Sequence, residues 1–278
     1  MPLSRPDRVS VITPTARHDC HESLYSVFLA QTHEDKQLVV CDDSPEPSPL
    51  FGSLRDRRVR YIHVTAPMSV GRKRDVLVRE ADGDVVMHFD DDDYYAPDYM
   101  RTMLSHLDGA DLVKLVAWFC YDSDARSLFY WDTLRMMPLH CQLKSGRPPT
   151  WLSVAHATRS LDTWLERQLW GYGFSFVFRR RLYDTVTFDS DLHHGEDYAF
   201  CQSARRLGLR VKGIADVHGL ALHVIHSSHR STNMSAAFPN YSCPPFMLER
   251  LFNAEGVRYL ERQYGPIGID GAEVVVGA

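Results

Sequence analysis

The sequence predicts an α/β fold in which helices flank a mainly parallel sheet. Over the first 107 residues, short apolar runs alternate with segments that have the pattern of helices. The apolar runs do not alternate with polar residues, which is typical of strands buried on both faces of a parallel sheet. Carboxylates follow two of these strands, so acidic groups should gather at the carboxyl edge of the sheet. Open α/β sheets bind their ligands at that edge.

The first half of the chain is predicted to form four strands joined by helices and loops. The strands are short apolar runs over residues 8–13, 37–41, 59–64 and 84–89. Helices are predicted over residues 20–31, 69–81 and 97–107. Ser69 is a suitable N-cap for the second helix, and Pro97 suits the first turn of the third. Three prolines within residues 44–49 predict a loop, because proline continues neither a helix nor a central strand.

The second half is predicted to contain further strands over residues 112–117, 173–178, 211–214 and 220–225. A helix is expected to start within 179–184, and longer helices to cover 195–207 and 244–264. Gly208 should end the first of the longer helices, and Gly256 should weaken the second. All five tryptophans lie within residues 118–170. Aromatic faces stack on sugar rings, but we expect most of these tryptophans to fill the core.

Composition excludes several classes of protein. The 278 residues suffice for one large domain or two small ones, and the net charge of −5 gives no general basic surface for nucleic acid. No apolar run approaches the length of a membrane span, and the N-terminus lacks the apolar core of a signal peptide. The six scattered cysteines contain no C-x-x-C pair, which suits reduced thiols. We therefore expect a cytoplasmic protein, with peripheral membrane association as an open alternative.

Four consecutive aspartates, Asp90 to Asp93, follow the strand predicted over 84–89. Four carboxylates at the end of a buried strand repel one another and are costly to remove from water. A cation should offset them, and a hard divalent ion such as Mg²⁺ or Mn²⁺ fits oxygen ligands best. Taken alone, the cluster leaves a solvated acidic turn open as the alternative.

Six segments of the chain carry motifs in a shared order. They are residues 9–15 (VSVITPT), 26–32 (SVFLAQT), 39–44 (VVCDDS), 71–84 (GRKRDVLVREADGD), 89–98 (FDDDDYYAPD), and 173–180 (GFSFVFRR) followed by 195–197 (GED). Together they resemble glycosyltransferase family 2, whose members have the Rossmann-like GT-A fold. Ala16-Arg17, Asp75 and Ser44-Pro45 depart from the family pattern, where Tyr-Asn, Asn and Gly-Ser are usual.

The resemblance implies a domain organisation and an activity. One GT-A domain would span residues 1–278, with a nucleotide-sugar half at about 8–117, a small acceptor-side and catalytic half at 118–230, and a C-terminal helix at 244–264. The implied enzyme is a metal-dependent, inverting transferase of the hexosyl or N-acetylhexosaminyl type. It would move the sugar from a nucleotide-sugar donor, UDP-linked, to a hydroxyl of a glycan, glycolipid or other acceptor.

The resemblance also implies roles for individual residues. Asp92 would bind Mn²⁺ or Mg²⁺, Asp90 would contribute to the same site, and His226 is the best-placed histidine to complete it. Asp43 would recognise the base with support from Asp42. The residues implied to contact the donor are Thr13, Pro14, Thr15, Asp42, Asp43, Arg74, Asp90 and Asp91.

Catalysis is assigned to the pair Glu196-Asp197, with Asp197 as the general base and Glu196 orienting it or contacting the acceptor. Simpler roles stay open for the same residues. Both carboxylates could serve as helix-capping groups, since they fall in the first turn of a predicted helix. Asp43 could form an Asx turn, Arg74 could be a solvated helix-surface arginine, and His226 could be a polar loop residue.

Two other functions account for part of the sequence. A sugar-1-phosphate nucleotidyltransferase would need a glycine-rich loop after the first strand, and residues 13–17 (TPTAR) contain no glycine. A non-catalytic metal- or sugar-binding module would explain the aspartates, but it would not explain Asp43 or the pair Glu196-Asp197.

Overall fold

We analysed a computed structural model of the chain. The structure describes residues 7–134, 139–142, 150–153, 166–226, 241–243 and 247–267. Trp151 lies in a strand whose side chains are not described, and Trp164 lies outside the described residues, so the expectation for these two tryptophans stays a prediction.

The described part of the chain contains thirteen strands. They are β1 (Val9–Thr15), β2 (Lys36–Asp42), β3 (Val59–His63), β4 (Val85–His88), β5 (Tyr94–Tyr95), β6 (Leu112–Asp122), β7 (Ser127–Asp132), β8 (Leu139–Gln142), β9 (Thr150–Ser153), β10 (Val177–Arg179), β11 (Val211–Ala215), β12 (Ala221–Ile225) and β13 (Tyr241–Cys243). Besides a helical segment over residues 166–170, the α-helices are α1 (His21–Ala30), α2 (Pro49–Ser53), α3 (Val70–Glu80), α4 (Tyr99–Leu107), α5 (Glu196–Arg206) and α6 (Met247–Tyr264).

One large mixed sheet organises the described residues, in the order β13-β7-β6-β10-β4-β1-β2-β3. The strands β4, β1, β2 and β3 are parallel, and β10 lies antiparallel between β4 and β6. In addition, β11 and β12 pair with β6 in parallel, while β8 and β9 form a separate two-stranded sheet. The predicted α/β fold is confirmed, and the parallel arrangement belongs chiefly to the first half of the chain.

Parallel pairing explains how the sequence builds an acidic edge. Thr15 at the end of β1 pairs with Asp42 at the end of β2, and Ile12 pairs with His88 at the end of β4. The segments that follow these strands therefore meet at one edge of the sheet. From the other side, β12 pairs with β5 immediately after the aspartates, which brings His223 on β12 and His226 just after it to the same edge.

The segment predicted as a strand over 173–178 differs from the prediction. Residues Gly173–Ser175 form a 3-10 turn, and only Val177–Arg179 pair as β10. Tyr172, just before the turn, has a left-handed backbone with φ of 59°. Ser175 is drawn inward, where its Oγ accepts a hydrogen bond of 3.0 Å from the Leu115 amide. These tertiary bonds override the strand pattern of the apolar run.

Two further differences have local causes. The loop predicted over 44–49 ends in α2, because Ser48 caps it, accepting a bond of 3.2 Å from the Phe51 amide. The C-terminal helix is kinked at Asn253, with φ of 52°, rather than weakened at Gly256. Gly256 instead allows close packing, since a Cβ there would lie 2.4 Å from the Cβ of Phe252.

The two tryptophans on the central strands fill the core, as predicted for most of the five. Trp118 and Trp131 are 0% and 1% exposed. Within the described ranges, no helix combines the length and the apolar character needed to cross a membrane.

Candidate active site

The four aspartates after β4 differ in their exposure to solvent. The Asp90 side chain is 31% exposed, whereas those of Asp91, Asp92 and Asp93 are 4%, 3% and 0% exposed. The solvated acidic turn is therefore wrong for three of the four. Burial raises the pKa of Asp90 to about 7, an effect that Arg74 opposes and that Asp93 and Asp92 reinforce.

Asp91 and Asp92 share one internal cation, the guanidinium of Arg17. Its Nη2 contacts Asp91 Oδ1 and lies 2.9 Å from Asp92 Oδ2. Asp91 also accepts a bond of 2.5 Å from the Thr15 hydroxyl. Arg17 follows β1 at the position where the sequence departs from the family pattern, and sequence reasoning assigned it no role.

Asp93 stabilises the fold. Its Oδ2 lies 2.8 Å from His223 Nδ1, and its Oδ1 accepts a bond of 2.9 Å from the Val224 amide, which fastens β12 to the aspartates. Burial alone would lower the pKa of His223, but the Asp93 carboxylate raises it to about 9. His223 therefore supplies a second positive charge to the cluster at neutral pH.

His226 lies directly after β12 and is 9% exposed, so the polar loop alternative is wrong for it. Its Nε2 lies 3.0 Å from Asp92 Oδ2 and 3.1 Å from Arg17 Nη1. A single ring nitrogen cannot donate to Asp92 and accept from Arg17 at once. His226 and Arg17 therefore compete around one carboxylate oxygen.

Asp42 and Asp43 end β2 and have separate environments. Asp42 is fully buried, and it accepts bonds of 2.8 Å from the Ser44 amide and 2.7 Å from the Tyr61 hydroxyl. Asp43 accepts a bond of 2.8 Å from the Met68 amide and forms an ion pair with Lys73. Asp42 thus forms the Asx turn, whereas the Asp43 side chain is 4% exposed and engages one oxygen with Lys73 and the other with the Met68 amide.

An open cavity of about 460 Å³ lies beside the ends of β1 and β2. It is lined by Ala16, Arg17, His18, Asp19, Ser44, Pro45 and Glu46. Thr13 Oγ1 is buried and finds no hydrogen-bond partner among the described residues. The roles predicted for Thr13, Pro14 and Thr15 in donor binding stay predictions.

Arg74 is buried, so the solvated alternative is wrong for it. Its Nη1 lies 2.5 Å from Glu196 Oε1, and its Nη2 lies 3.9 Å from Asp90 Oδ1. One guanidinium therefore joins the acidic cluster after β4 to the pair that starts α5. Burial raises the pKa of Glu196 to about 7, and Arg74 acts against that rise.

Asp197 is partly buried and held by backbone amides. Its Oδ2 accepts a bond of 2.7 Å from the Gly173 amide, and its Oδ1 accepts one of 2.6 Å from the Tyr198 amide. Gly173 permits this approach, because a Cβ there would lie 2.7 Å from Asp197 Cβ and 2.8 Å from Arg74 Nη1. The Asp197 carboxylate is therefore fixed beside Arg74, and its Oδ1 also accepts from a backbone amide in the first turn of α5.

Two buried lysines were missed by sequence reasoning. Lys73 donates 2.8 Å to the Thr15 carbonyl and pairs with Asp43. Lys114 is fully buried on β6 and donates to the carbonyls of Leu169 and Gly171, just before the Gly173 turn. A signal was present for each. A lysine inside the apolar run LVKLVAWF must be buried, and Lys73 precedes buried Leu77 by four residues on α3.

His21 is a buried histidine at the same edge of the sheet, and its protonation makes the stability of the protein depend on pH. It is fully buried, with Nε2 3.1 Å from Thr15 Oγ1 and Nδ1 2.8 Å from Ser48 Oγ. Thr15 donates to Asp91, so its oxygen accepts from His21 Nε2, and a neutral ring then accepts the Ser48 hydroxyl at Nδ1. Burial lowers the pKa of His21 to about 4 and that of His88 well below its usual value.

The contribution of His21 to stability should therefore fall as the pH drops from 7.5 to 5. The folded pKa of His21 lies below the unfolded value of about 6.5, so the unfolded chain binds more protons across this range. The loss from His21 at pH 5 should be about 2 kcal/mol. Urea unfolding of His21→Gln should lack this loss, so that the change in the free energy of unfolding from pH 7.5 to pH 5 is about 2 kcal/mol more favourable in the variant than in wild type. His194→Gln, at an exposed position, is the matched control, and an unchanged slope in His21→Gln would contradict the assignment.

The family comparison agrees with this geometry. The model of glycosyl transferase family 2 matches residues 10–187, which is more than half of the chain. The protein belongs to glycosyltransferase family 2. The resemblance drawn from the six sequence segments is thereby confirmed, as is the conclusion that the protein is a glycosyltransferase.

Solved structures show that the glycosyltransferase shares its fold with distant proteins. S. aureus TarS 1–349 in complex with UDP-GlcNAc aligns with a TM-score of 0.55 at 16% identity, covering 92% of this chain and 71% of that chain. Mannosyltransferase PcManGT from Pyrobaculum calidifontis, in complex with GDP-Man and Mn²⁺, gives 0.52 at 17% identity, covering 94% and 74%. No curated protein sequence matches the chain significantly. At these identities the likeness shows the GT-A fold alone.

The side chains of this glycosyltransferase supply some, but not all, of the ligands that a metal ion needs. Within the described ranges, no three His, Cys, Asp or Glu side chains are arranged so that they could hold an ion by themselves. Asp92 and His226 do converge at 3.0 Å, and a carboxylate with an imidazole is an acceptable pair for Mn²⁺. Mg²⁺ and similar ions often use one or two protein ligands and take the rest from substrate phosphates and water. The residues fit such a shared site.

Proposed function

We propose that the protein is a metal-dependent, inverting glycosyltransferase that moves a hexosyl or N-acetylhexosaminyl group from a UDP-linked donor to an acceptor hydroxyl. The observation that carries the proposal is the contact series from Asp90 through Arg74 to Glu196, with Asp197 beside it. In this series the aspartates after β4, where the donor would bind, lie on one side of the Arg74 guanidinium, and the Asp197 carboxylate lies on the other. An in-line displacement needs a leaving group and a base placed in this way.

In this proposal the acceptor hydroxyl gives its proton to Asp197. The amides of Gly173 and Tyr198 fix the carboxylate, which favours a defined direction of attack. Arg74 and Glu196 hold the start of α5 against the acidic cluster, so that the base keeps its distance from the donor. Attack from the side opposite the leaving group inverts the configuration at the anomeric carbon.

Asp92 and His226, with the more exposed Asp90, would hold Mn²⁺ or Mg²⁺ together with the donor phosphates. When bound, the ion would neutralise the charge that grows on the diphosphate leaving group. Support comes from the relatives: PcManGT is described with GDP-Man and Mn²⁺, and TarS with UDP-GlcNAc. We prefer a UDP-linked donor because the family resemblance gives Asp43 the uracil N–H as its partner, and the next residue, Ser44, lines the cavity at the ends of β1 and β2.

A thermal-shift screen with UDP, GDP and their sugars, each with and without Mn²⁺, tests the donor and the metal together. A ligand at about 100 times its Kd stabilises the native state by about 2.7 kcal/mol, which should raise Tm by roughly 5–10 °C for a chain of this size. We expect the largest shift with a UDP-sugar and Mn²⁺. Asp92→Asn should lose the Mn²⁺-dependent part, whereas Asp108→Asn, at the exposed end of α4, should keep it. No shift with any UDP ligand would contradict the donor assignment.

A further inference from the structure

Arg17 occupies the position where the proposed metal ligands meet. Its guanidinium contacts Asp91, lies 2.9 Å from Asp92 Oδ2, and lies 3.1 Å from His226 Nε2. The same Asp92 oxygen lies 3.0 Å from His226 Nε2. Arg17 thus takes up both the carboxylate and the imidazole that a divalent ion would need. The cation predicted to offset the acidic cluster is thus supplied by the chain itself, as the guanidinium of Arg17.

A guanidinium and a divalent ion cannot share this place. Two positive groups within about 4 Å repel each other by several kcal/mol at a partly buried site. An arriving ion must therefore displace Arg17 from Asp92. Arg17 can move, because its side chain remains 30% exposed and it also lines the cavity of about 460 Å³ at the ends of β1 and β2.

The displaced guanidinium has a suitable partner in a diphosphate. Arginine binds phosphate oxygens through two parallel N–H donors, which replaces the two carboxylate contacts that it gives up. The metal in turn lacks ligands without a diphosphate, since no sufficient set of side chains converges within the described ranges. The diphosphate therefore supplies the ligands that the metal lacks, and it binds the guanidinium that otherwise blocks the metal site.

We propose that Arg17 is a placeholder cation that couples metal binding to donor binding. Without donor it holds Asp91 and Asp92; when a nucleoside diphosphate sugar enters, Arg17 moves to the diphosphate and releases Asp92 and His226 to the metal. The inference rests on the proposed function. It adds that Arg17, a residue that departs from the family pattern, makes binding of the metal depend on binding of the donor. Coupling of this kind is reciprocal, so UDP and Mn²⁺ must strengthen each other's binding by the same factor.

The test measures Mn²⁺ binding directly, by electron paramagnetic resonance of free Mn²⁺, with and without UDP. Wild type should bind Mn²⁺ weakly alone and at least about tenfold more tightly with UDP. Arg17→Gln should bind Mn²⁺ alone about tenfold more tightly than wild type, bind UDP more weakly, and show a smaller coupling than wild type, because only the metal ligands that the diphosphate supplies still link the two. Arg17→Lys keeps the charge without the planar fork, so it should stay closer to wild type for Mn²⁺ alone and still bind UDP more weakly.

Arg79→Gln on α3 is the matched control, because Arg79 is 65% exposed and pairs only with Asp75 among the described residues. It should behave as wild type. Equal Mn²⁺ affinity and equal UDP coupling in wild type and both Arg17 variants would overturn the placeholder role while leaving the proposed function intact. Absence of any nucleotide-dependent Mn²⁺ binding in wild type would overturn both.

Discussion

Replacing Asp197 by Asn should lower sugar transfer by about 10²–10⁴-fold, the usual contribution of a general base. Asn cannot take the acceptor proton at neutral pH. Its side-chain carbonyl can still accept the bond from the Gly173 amide, so the start of α5 should keep its geometry. Donor binding, measured by calorimetry with UDP and Mn²⁺, should remain within about threefold of wild type, because the carboxylate acts on the acceptor.

The expected split between transfer and binding makes this test specific. Asp191→Asn is the matched control, since Asp191 is an exposed carboxylate in the loop before α5. It should retain full transfer. Proton nuclear magnetic resonance of the first product formed by wild type should show the inverted anomer. Intact transfer by Asp197→Asn would remove the base assignment, and a retained anomer would remove the in-line mechanism.

Much of the fold could be predicted because local signals and tertiary packing agree. The apolar runs of β1, β2 and β4 become parallel strands in which every residue except Pro14 is buried, and Ser69 caps α3 by accepting from the Arg72 amide at 3.1 Å. Prediction failed where a distant bond decides the backbone. The 3-10 turn at Gly173 exists because Asp197 and Ser175 take up amides of other segments, and no local pattern encodes those partners.

The site was predictable in position but not in its internal pairing. Parallel strands bring their carboxyl ends to one edge, so the gathering of Asp43 and the aspartates after β4 follows from topology. Which cation meets each carboxylate depends on side chains far away in sequence. Arg17 reaches Asp91 across 74 residues, and Arg74 reaches Glu196 across 122. The helical period places Arg74 on one face with Leu77 and Val78, a signal that the sequence prediction did not use.

Replacing Arg74 by Met should destabilise the protein by about 3–5 kcal/mol, the usual cost of removing one partner from a buried ion pair. The Arg74 and Glu196 side chains are only 5% and 6% exposed, so Glu196 would remain buried without its cation. Asp90 would lose its nearest guanidinium as well. Urea unfolding of Arg74→Met measures the loss. Arg79→Met on the same helix is the control and should change the free energy of unfolding by less than about 1 kcal/mol.

The pH dependence of that loss separates an unpaired charge from lost packing. Burial already raises the pKa of Glu196 to about 7, and removing Arg74 should raise it further above the unfolded value. A raised folded pKa means that stability is lost as pH rises through it. The deficit of Arg74→Met should therefore be larger at pH 8 than at pH 6. Adding Glu196→Gln should recover part of the deficit at pH 8 and reduce its pH dependence, and the remainder should come from Asp90. A deficit of equal size at both pH values in the single and double variants would instead show that Arg74 acts by packing alone.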